Sequence, residues 1–230
     1  MRVGRDAETF GHVPAPGTSD ADDARERTAQ FRRAIRGSGV AAANPQLAGH
    51  SNLLAIQPQS PGLAERTWWG SGTRATARRT GEQGMNLMSS TLLTEDTGAA
   101  FGALQAEQIA IFRQAWADAG HPGTPRVSVS RSIMPLITEQ DRRHFGLRAQ
   151  AGNHDQVGHL DGGLARFGTS YIGEPDVLVE QLAQDAAVRA ADTVPLTVRN
   201  QLGVGYNAQL LDSVLRFVAP GRGWRRSARL

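Results

Sequence analysis

One stretch limits what this chain can fold into: Arg66–Ser90, RTWWGSGTRATARRTGEQGMNLMSS. It predicts a strand, a tight glycine-rich turn, a helix and a second strand. Thr67-Trp68-Trp69 joins a β-branched residue to two aromatics, a run that favours a strand. Gly70-Ser71-Gly72-Thr73 follows at once, and glycines there let the backbone approach another group closely. The next residues open a helix over Thr73–Gln83 whose free N–H groups point back at the turn. Gly81 and Gly84 close that helix, and Met85-Asn86-Leu87-Met88 begins the next strand. Such a turn suits a phosphate, because the N–H groups and the helix dipole both favour an anion. The same junction also serves as an ordinary α/β connection. Taken alone, the stretch predicts a βαβ unit and leaves its ligand open.

Composition narrows the classes. The 230 residues suffice for one large domain or two small ones, and a hydrophobic content of 40% supports a core in at least part of the chain. The absence of cysteine excludes disulfides and thiolate metal sites and fits a cytoplasmic protein. No apolar run is long enough to span a membrane, and MRVGRDAETF lacks the apolar core of a secretory signal. A sequence pI near 10.4 suggests a nucleic-acid partner, but the net charge is only +3. Arginine supplies all 25 basic residues, and its high pKa inflates the pI. The arginines are scattered, apart from the tail cluster Arg222, Arg225, Arg226 and Arg229. Neither nucleic acid nor membrane is an expected partner.

Taken in order, residues 1–20 hold Gly4, Gly11, Pro14, Pro16 and Gly17 and predict a loop. Asp20–Arg36 predicts a helix led by acids and ended by arginines. A short strand is expected at Leu53–Gln57. Beyond the opening βαβ unit, Leu104–Ala119 predicts a helix with Ile109, Phe112, Trp116 and Ala119 on one face. Arg126–Ile137 predicts one strand, with Val127, Val129, Arg131 and Ile133 on one side and Ser128, Ser130 and Ser132 on the other. Thr138-Glu139-Gln140-Asp141 is a cap for a short helix. Residues 146–173 are expected to be irregular. A helix from Pro175 should bury Leu178, Leu182 and Ala186. Asp192–Val198 predicts a strand with a bulge or end at Pro195. Asn207–Ala219 predicts a last helix with Leu210, Val214, Phe217 and Val218 inward.

Strands alternating with helices predict a parallel sheet or barrel. A barrel places its site in the loops after the strands, here Gly70–Arg74, Ser89–Thr94, Arg131–Leu136 and Arg199–Tyr206. The histidines His12, His50, His121, His144, His154 and His159 are spread out. His154-Asp155 with His159 lacks the spacing of a metal site, so none is expected.

WWGSGTRATA, GMNLMSSTLL, PRVSVSRSIMPL and LTVRNQLGVGYNAQLL, in that order, resemble the C-terminal half of the bacterial-luciferase-like flavin-dependent monooxygenases. The resemblance covers roughly Arg66–Trp224. It implies an α/β fold of the (β/α)8 TIM-barrel type. The implied activity is oxidation of a small organic substrate by O2 with reduced FMN, the reduced flavin coming from a flavin reductase. A branch that uses the deazaflavin F420 for hydride transfer is the alternative. Carried over by position, Gly72, Thr73 and Thr76 would contact the flavin phosphate. Gly70 and Ser71 would shape the turn, and Arg74 is a further donor. Ser89 and Ser90 would face the flavin or substrate. Arg131 resembles a catalytic cationic position that holds an anionic substrate or oxygen species. Arg199, Asn200 and Tyr206 would lie at the pocket rim.

The resemblance is partial. A full (β/α)8 barrel takes about 250 residues, whereas this chain shows βα units only near residues 67, 85, 127 and 193. Residues 1–65, with Val13-Pro14 and Asn44-Pro45, resemble the end of the fourth unit plus an excursion before the fifth strand. Residues 66–224 would be the second half of the barrel and 225–230 a basic tail. The expectation is an incomplete barrel, as a truncated copy or an inactive fragment acting only with a partner. A homo-oligomer is compatible with either. The helix Thr73–Gln83 is unexpectedly polar, with Arg78, Arg79, Thr80 and Gly81 where an apolar face belongs.

Overall fold

The computed structural model describes residues 17, 19–44, 46, 53–95, 97–150, 156–160 and 163–225. Val13, Pro14, Pro45, His12, His50, His154, Asp155, Arg226 and Arg229 lie outside them. The chain divides into two compact units, Met1–Thr67 and Trp68–Leu230.

In the first unit, α1 (Asp20–Ile35) begins where predicted. Ser19 caps it, its hydroxyl oxygen accepting the Asp22 N–H at 3.2 Å. Asp23 pairs with Arg27 one turn on at 2.9 Å. Two short antiparallel strands follow, β1 (Ala41–Ala42) and β2 (Leu53–Leu54). The strand expected at Leu53–Gln57 is cut to two residues, and a 3-10 turn at Ala64–Arg66 ends the unit.

The second unit is built on parallel strands. β3 (Trp68–Ser71), α2 (Arg74–Glu82), β4 (Asn86–Ser89), α3 (Phe101–Asp118) and β6 (Val127–Val129) succeed one another, with β5 (Leu92–Leu93) between β4 and α3. Their sheet order is β3-β4-β6, all parallel. Ser71 pairs with Ser89 and Ser89 with Val129, so the three strands end level and their loops leave from one edge.

The polar character of α2 has a packing explanation. Its buried residues are Ala77, Thr80 and Gly81. A Cβ on Gly81 would stand 2.4 Å from the Phe112 carbonyl oxygen and 2.9 Å from Trp116 N. The backbones of α2 and α3 therefore touch, and a small-residue face replaces an apolar one. Beneath them Ala77, Leu87, Ile109, Phe112, Val127, Val129 and Ala187 form one buried cluster. Trp116 packs at its rim against Phe112 and His121.

The strand expected over Arg126–Ile137 is broken. β6 ends at Val129 and β7 (Ser132–Pro135) starts anew, with Arg131 at the joint. The predicted alternation fails there, because Val127, Ser128 and Val129 are all buried. The expected strand Asp192–Val198 reduces to two bridges, Ser128↔Thr193 and Arg131↔Leu196. Pro195 lacks an N–H to extend that ladder; its carbonyl accepts the Arg131 N–H at 3.0 Å.

The described residues among 146–173 are largely regular, contrary to expectation. α4 (Glu139–Gln150) runs into them. A hairpin of β8 (Gln156–Leu160) and β9 (Gly163–Phe167) pairs antiparallel, with β5 on its other side. β10 (Ser170–Gly173) then pairs parallel with β7. Asp161 and Gly162, between β8 and β9 in the sequence, lie outside the described residues.

α5 (Pro175–Gln184) buries Leu178 and Leu182 as predicted. It stops at Asp185, and a second short helix, α6 (Ala186–Ala190), turns Ala187 inward and leaves Ala186 exposed. α7 (Gly203–Ser213) starts earlier than expected and widens into π-type turns over Val214–Val218. Leu210, Val214 and Val218 are buried, but Phe217 is 50% exposed, because the wider turns shift its angular position. No helix among the described residues is long and apolar enough to cross a membrane.

Candidate functional site

The turn between β3 and α2 forms where the sequence places it. Thr73 is the N-cap, extended at φ −141° and ψ 156°, and its hydroxyl oxygen accepts the Thr76 N–H at 3.1 Å. The two threonine hydroxyls meet at 3.0 Å. Ser71 Oγ donates to the Thr73 carbonyl at 3.0 Å and stiffens the approach. Gly72 is needed for space: a Cβ there would lie 2.9 Å from the Leu92 carbonyl oxygen. Gly70 is less constrained, with only Met88 Cε at 3.8 Å from a Cβ. Helix N–H groups, two hydroxyls and the Arg74 guanidinium fit a phosphate in kind.

An anion from the chain already occupies part of this turn. The Glu95 carboxylate accepts the Arg74 backbone N–H at 2.9 Å and lies 3.4 Å from Arg74 Nη1. Gln108 Nε2 reaches the same Glu95 oxygen at 3.4 Å. Arg74 also meets Glu107 in a fork, Nε at 2.7 Å and Nη2 at 2.9 Å. That hydrogen bond raises the Arg74 pKa and lowers that of Glu107.

Ser89 and Ser90, at the end of β4, are joined to α3. Gln105 Nε2 donates to Ser89 Oγ and to the Ser90 carbonyl, both at 2.9 Å. Gln105 and Gln108 are 0% and 1% exposed, and the Oε1 of each lacks a hydrogen-bond partner. Neither glutamine was read as functional from the sequence. The signal was present: both fall at helical spacing on the face that carries Leu104, Ile109 and Phe112, where polar side chains are out of place.

Arg131 lies in a second, buried cluster. Its Nε meets Asp185 Oδ2 at 2.7 Å, and each side chain is 3% exposed. Its Nη1 donates to the Ser130 carbonyl at 2.9 Å, Nη2 has no hydrogen-bond partner, and the guanidinium lies over the Phe101 ring. Tyr171 donates its hydroxyl to Asp185 at 2.6 Å, and the other Asp185 oxygen caps α6 through the N–H groups of Ala187 and Val188. Burial works to raise the Asp185 pKa, but the bonds from Arg131, Tyr171 and Val188 outweigh it and hold the carboxyl below its usual range. Burial and the adjacent carboxylate push the Tyr171 phenol up. Arg131 thus has its charge balanced inside the protein and keeps one free donor atom.

The rim residues divide. Tyr206 donates its hydroxyl to Asp141 at 2.6 Å, and the Arg199 carbonyl accepts from Asn207 Nδ2 at 2.8 Å. Asp141 closes the predicted cap of α4, accepting the N–H groups of Ile137 and Thr138 and the Thr138 hydroxyl. Asn200 opens an exposed 3-10 turn. His121 bonds the Glu82 carbonyl at 2.7 Å, its ring filling the space over Gly84, which turns at φ +65°. An apolar cavity of about 420 Å³ lies elsewhere, among Ile133, Leu182, Leu196, Val214 and Trp224, and contains none of the expected site residues.

No family model matches the chain, and no curated protein matches it. Solved structures share its fold. Monooxygenase RslO1 from Streptomyces bottropensis superposes with a TM-score of 0.61 at 15% identity, over 95% of this chain and 65% of that one. The oxygenating constituent of 3,6-diketocamphane monooxygenase from Pseudomonas putida, a type II Baeyer-Villiger enzyme in complex with FMN, gives 0.60 at 14%, over 94% and 68%. EDTA monooxygenase from Chelativorans gives 0.54 at 16%, over 96% and 66%. The chain spans about two thirds of the length of these structures. The likeness is one of fold, shared over nearly the whole of this chain with three monooxygenase structures.

Proposed function

We propose that the chain is a flavin-dependent oxidoreductase of the luciferase-like class that uses reduced FMN and O2 on a small organic substrate. The parallel strands β3, β4, β6 and β7 would be an arc of a (β/α)8 barrel formed by residues 66–224. The observation that carries this reading is the phosphate-suited turn at the level end of a parallel sheet, on a fold shared with monooxygenases, one of them in complex with FMN. The flavin, when bound, supplies the oxygen chemistry. The chain supplies position. Gly72 lets the turn close, the Thr73 and Thr76 hydroxyls and the first-turn N–H groups of α2 hold the phosphate, and Ser89 and Ser90 line the adjoining strand end. Arg131 offers the Nη2 donor to a substrate or oxygen group while Asp185 balances its charge.

Titration of the purified chain with FMN, riboflavin and F420, followed by flavin fluorescence or absorbance, tests the reading. FMN should bind at least about tenfold tighter than riboflavin, a difference of about 1.4 kcal/mol assigned to the phosphate. Equal affinity for FMN and riboflavin would remove the phosphate site, and preference for F420 would move the chain to the hydride-transfer branch. No binding at any concentration would end the flavin reading for this chain.

A further inference from the structure

We propose that Glu95 is a built-in competitor for the phosphate, occupying the start of α2 until an anionic ligand displaces it. The proposal rests on the flavin-phosphate reading and adds its regulation. Arg74 N–H, Arg74 Nη1 and Gln108 Nε2 all converge on one Glu95 oxygen. Each is a donor that a phosphate oxygen accepts equally well, so the carboxylate and a phosphate are alternative occupants of one place. They cannot share it easily. Glu107 already matches the Arg74 charge in a fork, and Glu95 adds a second carboxylate around one guanidinium. A phosphate dianion entering beside both would meet uncompensated like charge.

A second feature, independent of the helix terminus, marks the same place as a ligand site. Gln108 is 99% buried by its 1% exposure, and its Oε1 has no partner. Gln105, one helical turn earlier and fully buried, leaves its Oε1 unpartnered as well. Buried amide oxygens without a donor are expensive to keep. An anion alone cannot satisfy them, whereas a phosphorylated polyol brings both a phosphate for the donors and hydroxyl donors for the acceptors. That is the chemical class the site would take. Glu95 and Leu92 share the short segment after β4, tied to the turn by Thr94 N–H on the Gly72 carbonyl at 3.3 Å.

The test compares the full chain with its Glu95→Gln and Glu95→Ala variants, measuring affinity for FMN and riboflavin together with the NMR shift and exchange of the Arg74 amide. Removing the competing charge should tighten FMN about tenfold or more and leave riboflavin unchanged. In Glu95→Ala the Arg74 amide should exchange faster, and inorganic phosphate should restore its protection. If FMN binds both forms equally, or binds the variants more weakly, the competitor role is overturned while the flavin reading survives. If FMN binds neither form, the flavin reading falls and the amide decides. Protection restored by inorganic phosphate then sustains the competitor role, and an amide indifferent to both substitution and phosphate overturns it.

Discussion

Replacing Asp185 by alanine removes the hub of the buried cluster. The carboxylate meets Arg131 Nε at 2.7 Å and the Tyr171 hydroxyl at 2.6 Å, and it caps α6 at Ala187 and Val188. Arg131 would keep its charge at 3% exposure with no counter-ion. Breaking a buried pair from one side costs about 3–5 kcal/mol, and loss of an N-cap adds about 1 kcal/mol. Domains are stable by about 5–15 kcal/mol, so the variant should lose about a quarter or more of its margin. Urea unfolding should show a lower midpoint at an unchanged slope. The melting temperature should fall by roughly 8–24 °C, at about 2–4 °C per kcal/mol for a chain of this size. Asp185→Asn keeps an acceptor for the cap and should fall between. Joint replacement Arg131→Met with Asp185→Leu removes both charges and should recover much of the loss. A loss below about 1 kcal/mol in Asp185→Ala would mean that the pair is solvated as surface pairs are, refuting the buried hub.

Three further outcomes follow from the packing and the titrations. Asp141 and Asp185 both have depressed carboxyl pKa values. The unfolded chain takes up those protons first, so the stability they add is complete above the usual carboxylate range near pH 4 and declines as pH falls through the lower folded values; acid-titrated unfolding with Asp185→Asn should flatten that decline. Tyr171 and Tyr206 are shifted upward, so their contribution is full below about pH 10 and declines as pH rises further, and Tyr206→Phe should cost about 1.5–3 kcal/mol at neutral pH through its lost bond to a carboxylate. Gly81→Val forces a side chain against the Phe112 carbonyl and Trp116 N, and denaturation should show a loss of at least about 1–3 kcal/mol from overpacking.

Local signals carried the helices and the opening βαβ unit. Thr138 with Asp141 marks one helix start by groups that satisfy free N–H donors, and Pro175 marks another by having no N–H to satisfy; both starts are observed. The paired strands at 156–160 and 163–167 are not legible in the sequence because they carry no sustained apolar alternation. The break at Ser130-Arg131 was illegible for another reason. It depends on which neighbour pairs on each side: β4 beside β6, and β10 beside β7. The polarity of α2 was puzzling until its partner was known, because a helix that presents Ala77, Thr80 and Gly81 is apolar enough only against a closely approaching backbone. In the candidate site, the turn residues Gly70–Thr76 were legible from local order. Glu95, Gln105, Gln108, Asp185 and Tyr171 were not, because their roles are set by partners 13 or more residues away.

The central claim is that a flavin phosphate sits on the turn between β3 and α2. A crystal structure of the chain grown with FMN tests it most directly. The phosphate is expected against the Thr73 and Thr76 hydroxyls and the first-turn N–H groups of α2, with Glu95 turned away from the Arg74 amide. Density for FMN with its phosphate elsewhere, and Glu95 still on that amide, would contradict the claim.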